Sequence, residues 1–529
     1  MNKVICVLAY DIGTTGVKTC LFKIGEKIEL ISYASCGYNL YVLDNGGVEQ
    51  EPDEWWDAMC RTTAQVLSGT GIKAEQIDGI SFCSQMQGVV LVDKDGVPVR
   101  RAMSYMDQRA QEELEKGMAH GAQIAGANVA KLMKSLQITG AVAASVKDPV
   151  WKYKWVEAHE PENFARTYKW LDVKESLIAR MTGECVMTPD SAFAALIYDI
   201  RKGREGFSKE MCDMLGVKYA HLPRIIQCTE QAGTLTAKAA KELGLVPGIP
   251  VFGGGGDASL IGVAAGAVDP GDTHVYWGTS GWVGTVVEKS VVDTTAMIAA
   301  IVGADKGKFL YFAELETAGK CLEWARDRIA LDEIDVYEEK IPVNSVYNKM
   351  TEIASTVPAG SGGVIFTPWL HGNRCPFEAP DARGMFFNLS LETTEAELVR
   401  AVIEGVCYHL RWFLETEEKK VQTSQKLRFA GGGALSDLIC QTLADCTGRT
   451  VETVASPQNA GSVGAAVLAA VGLGVLHNIG ECKKLIPAEK VYNPNAKNKA
   501  VYDKTFDVYK KLYASNKRLF KKMNGYKED

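Results

Sequence analysis

None of the fourteen cysteines in this 529-residue chain pairs with another at C-x-x-C spacing, so a zinc knuckle or dithiol redox motif is absent. Fourteen is a low density for the length, and it points to reduced, buried thiols in a cytoplasmic protein rather than a disulfide framework. The seven histidines never fall at i, i+4, which disfavours a tightly held transition metal. Positive charge is also scarce. With 58 basic against 65 acidic residues spread along the chain, and a net charge of −7, there is no electrostatic footprint for nucleic acid or an anionic membrane. Long apolar runs are missing too: the longest charge-free stretch, Gly464 to Leu476, falls short of the ~18 residues a membrane span needs and reads as a buried helix. The run Val4 to Tyr10 stops at Asp11 without a small-residue cleavage site, unlike a secretory signal. What remains is ordinary globular composition, 47% apolar and 23% charged, long enough for two large domains or about three ordinary ones.

Short β-branched runs ended by glycine alternate with stretches of helical period, the pattern of an α/β protein. Val4 to Tyr10, the turn Gly13-Thr14-Thr15-Gly16 and Val17 to Phe22 predict a hairpin whose tip exposes backbone N–H groups. After Pro52-Asp53, the spacing of Trp55, Met59, Thr62 and Val66 predicts an amphipathic helix packed on a sheet. Tyr502, Phe506, Tyr509 and Tyr513 repeat with helical period in a lysine-rich stretch and predict a docked terminal helix. The segment Tyr276 to Val283 echoes Tyr10 to Val17, as a duplication would, and Leu245 to Pro250 interrupts regular structure just before the second copy. Two related lobes facing a cleft are expected.

Four glycine-rich turns follow apolar runs: Asp11 to Gly16, Gly253-Gly254-Gly255-Gly256-Asp257, Gly278-Thr279-Ser280-Gly281 and Gly431-Gly432-Gly433-Ala434. Any one of them alone reads first as a plain tight turn. Together they suggest nests of N–H and hydroxyl groups for phosphate oxygens, two of them on separate lobes and able to clamp a triphosphate. Neither a Walker loop nor G-x-G-x-x-G spacing occurs, which speaks against a P-loop enzyme and a dinucleotide-dependent dehydrogenase. Asp11, beside the first loop, is placed to hold Mg²⁺ against phosphates, or is a turn aspartate. Asp257 precedes a helix-compatible run and is a good N-cap; a carboxylate there can also orient a hydroxyl and accept its proton, and the two roles can coexist.

At this point a family resemblance becomes specific. Asp11 to Lys18, Gly47 to Trp56, Gly253 to Asp257, Gly278-Thr279-Ser280, Gly319 to Trp324, Gly372-Asn373-Arg374-Cys375-Pro376 with Ala382-Arg383-Gly384, and Gly431 to Ala434 with Gln441 and Ala444-Asp445 occur in one order. That order resembles the FGGY carbohydrate kinases, in particular their xylulokinase branch, over residues 4 to 474. The resemblance implies two ribonuclease-H-like lobes of the actin and hexokinase ATPase class with an interlobe cleft. Residues 1–250 would form the sugar-binding lobe with the first phosphate loop, and 251–529 the ATP-binding lobe with a C-terminal helix. It implies an ATP-dependent sugar kinase with Mg²⁺, cytoplasmic, whose partners are a small sugar and ATP; a homodimer is compatible with it. By the same resemblance Asp257 is the general base and Asp11 the residue near the metal. Thr14, Thr15 and Lys18 would lie near the transferred phosphate, Gly278, Thr279 and Ser280 would bind further phosphate oxygens, and Gly432, Gly433 and Ala434 would flank the adenosine.

The sugar pocket departs from the branch pattern. Met86-Gln87-Gly88, preceded by Gln85, stands where xylulokinases carry Met-His-Gly, and Ala258 where many members have an amide. Alanine cannot hydrogen-bond, so one usual polar contact is lost or supplied elsewhere. Tyr105-Met106-Asp107-Gln108-Arg109 resembles the family's Trp-x-Asp-x-Arg, and Asp107 with Arg109 either lines the pocket or pairs structurally. The first candidate substrate is D-xylulose, to D-xylulose 5-phosphate. Another ketose, a sugar alcohol or gluconate stands second, and an ATP-binding regulatory module without small-molecule transfer is the reading from a different class.

Overall fold

The computed structural model describes residues 4–119, 122–124, 127–329 and 343–525; His120, one of the seven histidines, lies outside them. The core elements are numbered here in chain order. The first sheet contains β1 (Ile5–Ile12), β2 (Gly16–Ile24), β3 (Ile28–Gly37), β4 (Gly79–Ser84), β5 (Gln231–Thr234), β6 (Pro250–Phe252) and β7 (Gly255–Gly256). The second contains β8 (Thr273–Trp277), β9 (Gly281–Val287), β10 (Val292–Asp293), β11 (Ile298–Val302), β12 (Phe309–Leu315), β13 (Lys426–Ala430), β14 (Thr450–Thr453) and β15 (Val491–Tyr492).

The two sheets share one topology. In the first, the antiparallel meander β3-β2-β1 continues through β4 and β6, each parallel to its neighbour, to the antiparallel edge strand β5. In the second, β12-β9-β8 is the meander, β13 and β14 are the parallel strands and β15 the antiparallel edge, with β10 and β11 added beyond β12. The expected hairpin is β1–β2, with Ile12 opposite Val17, and its counterpart is β8–β9, with Trp277 opposite Gly281. The short sequence echo thus marks a real duplication, and both glycine turns are hairpin tips.

The helices that matter for the site are α1 (Pro52–Leu67), α2 (Pro149–His159), α3 (Val173–Thr182), α4 (Pro189–Ala194), α5 (Asp257–Ala264), α6 (Gly319–Arg328), α7 (Glu395–Glu417), α8 (Asp437–Thr447), α9 (Ala460–Gly472) and α10 (Lys499–Asn524). Helix α1 opens on Pro52, whose missing N–H costs nothing at that position, and buries Trp55, Met59, Thr62 and Val66 against β2 and β3. Helix α10 buries Tyr502, Phe506 and Tyr509 in the second core, where Tyr513 stacks on Phe377. It is therefore docked, as its pattern predicts. Of the apolar stretch Gly464 to Leu476, residues 464–472 lie in α9, which is buried from Ala460 to Ala470; the helix ends at Gly472, so Leu473 to Leu476 lie beyond it, in a turn where Gly474 takes φ +75°.

One assignment shifts. The division expected after residue 250 falls within the first sheet, because β6 pairs with β4 at Val251–Ile80 and β7 pairs with β4 through Gly256–Ser84. Prolines and Gly248, at φ +90°, make a turn into the sheet rather than a linker out of it. Helix α9 of the second half packs on β1 and β4 and against α5, so one apolar cluster joins Val7, Phe22 and Cys83 to Leu260, Ala466 and Trp282. The two sheets close on this shared helix pair.

Candidate active site

Within each sheet the parallel strands, β1 with β4 and β8 with β13, deliver their carboxyl ends to one edge, where ligands bind in open α/β sheets. In register, Asp11 on β1 and Gly255 on β7 flank Cys83 on β4, which sets Asp11 and Asp257 on either side of the β4 end. Both carboxylates are partly buried. Burial pushes the Asp257 carboxyl up to about 7, with Asp11 and Glu314 adding to the rise and the Ala258 N–H opposing it. Asp11 is also raised by burial, against the opposing pull of Lys18 and a hydrogen bond with Cys83.

Asp257 is not the N-cap expected from sequence. Gly256, extended at φ −72° and ψ 158°, caps α5, and Asp257 is its first helical residue, its Oδ1 accepting from Ala258 N at 2.8 Å. The pairing of Gly256 with β4 keeps that residue extended, so it becomes the cap and the helix starts one residue earlier than expected, at Asp257 rather than Ala258. A carboxylate there still faces the positive end of the helix dipole.

The loop after β4 is strained. Gln87 adopts φ 64°, left-handed and unusual for a residue with a Cβ, at a cost of about 1–3 kcal/mol. Two buried ions hold it: Asp172 accepts from the N–H groups of Gln87 at 3.0 Å and Gly88 at 2.8 Å, and Lys152 on α2 donates to Gln87 O at 2.7 Å and Ser104 O at 2.8 Å. Burial pulls Lys152 down to about 8. Met86 lies against the Gly256 backbone, where a Cβ would meet its Sδ at 2.2 Å. Gln85 Nε2 donates to Gln50 Oε1 (2.9 Å) and Gln50 Nε2 to Thr14 O (2.7 Å), linking this loop to the β1–β2 tip, while Gln85 Oε1 is buried without a partner. Tyr105 meets Thr14 Oγ1 through its hydroxyl at 3.3 Å.

Asp107 takes the structural alternative. It is fully buried, pairs with Arg109 Nη2 at 2.7 Å and accepts from Val48 N at 2.8 Å, while Arg109 also reaches Glu49 and the Trp155 ring. These contacts satisfy its carboxylate within the lobe. Lys18 sits beside Asp11 in the β1–β2 register and donates to Gln458 O at 2.7 Å, a bridge to the second half. Thr15 and Thr279 are exposed at the two hairpin tips.

On the second sheet three backbone turns converge. Gly319, opening α6, donates to Gly278 O at 2.8 Å, and a Cβ there would stand 2.4 Å from that oxygen, which explains the glycine. Ala318 and Lys320 donate to Thr279 O, and Ser280 O receives Gly278 N. Gly431, at φ +94°, leads into a turn over Gly432–Leu435 packed on Trp277; Gly433 and Ala434 are buried there, while Gly432 is exposed with open space around it. Gln441 and Asp445 bind the segment Asn493 to Asn498, a structural contact.

Sequence reasoning missed Lys152, Asp172, Glu314 and Gly461. Lys152 and Asp172 look like ordinary surface residues of helical segments, and Glu314 like a strand-end charge; it pairs with Arg374 at 3.1 Å. Gly461 in α9 lies so close to Asp11 that a Cβ would stand 2.7 Å from its Oδ2. Among the described residues no cluster of three His, Cys, Asp or Glu side chains forms a metal cage. Hard carboxylate oxygens in this number fit Mg²⁺ that takes its other ligands from phosphates and water.

Residues 6–263 match the N-terminal domain, and residues 274–473 the C-terminal domain, of the FGGY family of carbohydrate kinases. The chain belongs to that family. This FGGY kinase is 26% identical over 524 residues to the xylulose kinase of Bacillus subtilis, covering 99% of each chain. Among solved structures it is similar to a gluconate kinase and a ligand-bound xylulose kinase, both from Lactobacillus acidophilus. Each is 26% identical with a TM-score of 0.83 over 98% of this chain, and the match covers 100% and 99% of theirs respectively. The two-domain α/β fold of the actin and hexokinase ATPase type follows, as does the activity: a sugar kinase, xylulokinase-like in sequence.

Proposed function

We propose that this kinase transfers the γ-phosphoryl group of ATP to a hydroxyl of D-xylulose, giving D-xylulose 5-phosphate in the cytoplasm, where its fourteen free thiols stay reduced. The observation that carries the reading is Asp257, a carboxylate at the strand-end cleft with a pKa raised to about 7, the range in which a base both ionises and accepts a proton near neutral pH. It takes the proton of the attacking hydroxyl. Gln85, with a buried acceptor free, and Met86 and Gln87 line the sugar side; an unpaired buried acceptor favours a ligand hydroxyl that donates to it. Thr14, Thr15 and Lys18 approach the transferred phosphate, Gly278, Thr279 and Ser280 the remaining phosphates, and Gly432, Gly433 and Ala434 the adenosine. Asp11 would hold Mg²⁺, directly or through water, and the ion supplies positive charge to the transferring group.

Two carboxylates, Asp11 and Glu314, add negative charge around Asp257, and the Arg374 guanidinium is engaged by Glu314. Negative charge at this end of the cleft supports a neutral ketose over an aldonate. A panel of ketopentoses, ketohexoses, polyols and gluconate, followed by sugar-dependent ADP release, is expected to give D-xylulose the highest kcat/KM. Changing Gln87→His and Ala258→Asn together should raise it further, by about tenfold for ~1–2 kcal/mol of restored hydrogen bonding; histidine also tolerates the left-handed backbone at this site. Preference for gluconate would replace the substrate assignment.

The pH dependence follows from the same carboxylate. Asp257 works only when ionised, so kcat/KM should fall tenfold per pH unit below about 7 and level off above it. A limb near pH 4 would mean that the base is hydrated and ordinary.

A further inference from the structure

The catalytic turn is tied to a buried charge network that the reaction does not touch. Asp190, on the first turn of α4, has no solvent exposure. Its Oδ2 accepts the N–H of Gly256, the residue immediately before Asp257, at 2.7 Å. Its Oδ1 accepts from Thr188 Oγ1 at 2.5 Å and from Ser191 N at 3.0 Å. Behind it, Lys174 on α3 donates to Thr188 Oγ1 at 2.6 Å and Ser191 Oγ at 3.0 Å and pairs with Glu175; all of these groups are buried. The Cys228 thiol also faces Asp190 Oδ1, at 3.6 Å. The rest of the glycine turn is held only by backbone: Gly253 N donates to Glu230 O and Gly254 N to Cys228 O.

We infer that Asp190 is a positioning residue for the base, fixing Gly256 through a relay that runs from Lys174 to the Thr188 hydroxyl, to the Asp190 carboxylate, to the Gly256 N–H. This rests on the reading of Asp257 as the base. The chemistry explains why a carboxylate is needed. Every group named around Asp190 is a donor, so both oxygens must accept, and the isosteric asparagine would turn its NH₂ against either Gly256 N–H or the Thr188 and Ser191 donors. A carboxylate buried at such expense is maintained by its cation, Lys174, two links away. Glycines at 254 to 256 leave the turn no side chains of its own to define its path; Gly254, at φ +67°, lies close to Phe82 O, Gly255 and Gly256 pair through their backbone with β4, and the hydrogen bond from Gly256 N–H to Asp190 is the side-chain anchor next to the base.

The test compares Asp190→Asn, Thr188→Val, Thr188→Ser and Asp257→Asn in the full-length enzyme, each checked for folding by circular dichroism and thermal melting. Asp190→Asn is expected to lower kcat by about 10²-fold, the cost of misplacing a reacting group by roughly an ångström, with KM for ATP unchanged. Its acid limb should move below that of the wild type, because a loosened turn lets water reach Asp257 and relieves the burial that raises it. If Asp190→Asn does not fold, the threonine pair carries the test. Thr188→Val keeps every charge and should lose about tenfold in kcat, on the order of one hydrogen bond, while Thr188→Ser restores the hydroxyl and the rate. Wild-type kcat and acid limb in a folded Asp190→Asn, or equal rates for Thr188→Val and Thr188→Ser, with Asp257→Asn inactive, would overturn the positioning role alone. An active Asp257→Asn would overturn it together with the base.

Discussion

Asp257→Asn is expected to lower kcat by about 10³-fold or more while ATP binds with nearly unchanged affinity, because the carboxylate acts on the acceptor hydroxyl and not on the nucleotide. General-base assistance contributes about 10²–10⁴-fold in enzymes at large. Asparagine preserves the volume and the acceptor for Ala258 N–H at the start of α5, so the helix keeps its first turn. What it loses is the proton-accepting oxygen. Isothermal titration with ATP, alongside steady-state rates, separates the two effects; turnover close to wild type would remove Asp257 from the mechanism.

Gly461→Ala is the second change with a large expected effect, and its sign on stability makes it informative. Alanine inside a helix ordinarily stabilises by roughly 1 kcal/mol relative to glycine. Here the new Cβ would stand 2.7 Å from Asp11 Oδ2 and 2.8 Å from Cys83 Sγ, so either the carboxylate turns away or α9 withdraws from β1 and β4. The first response displaces the residue assigned to Mg²⁺; the second opens the junction between the two sheets. Either way kcat is expected to drop by about 10²-fold, accompanied by overpacking of about 1–3 kcal/mol that outweighs the helix gain. Raising Mg²⁺ should recover part of the rate if Asp11 has only been turned. Full activity in the variant would show that the contact between α9 and Asp11 is dispensable.

Much of the scaffold can be read from local signals, because the turns that build it are marked by glycine and threonine. Gly13 to Gly16 and Gly278 to Gly281 are the tips of equivalent hairpins, and the stripes on α1 and α10 name the faces that are buried. Partners are another matter. An apolar helix such as α9 declares that it is buried, not that it covers the opposite sheet, and the turn at Gly248 looks the same whether it leaves a domain or enters a strand. Asp257 shows the limit within the site: its chemistry is suggested by four glycines and a helix-compatible run, but strand pairing at Gly256 moves the cap by one residue. Asp107 could equally be pocket or scaffold until Arg109 and Val48 are seen to surround it. Gln87 is strained only because Asp172 and Lys152, 85 and 65 residues away in sequence, hold its backbone, and no local pattern encodes that.

The central claim is that a hydroxyl activated by Asp257 receives the γ-phosphoryl group of ATP. Phosphorus NMR of the enzyme with Mg-ATP and each sugar in turn tests it most directly. The predicted result is a phosphate monoester resonance growing in step with ADP, present only with an accepted sugar and absent for Asp257→Asn. Inorganic phosphate growing in step with ADP, with or without sugar, would contradict it.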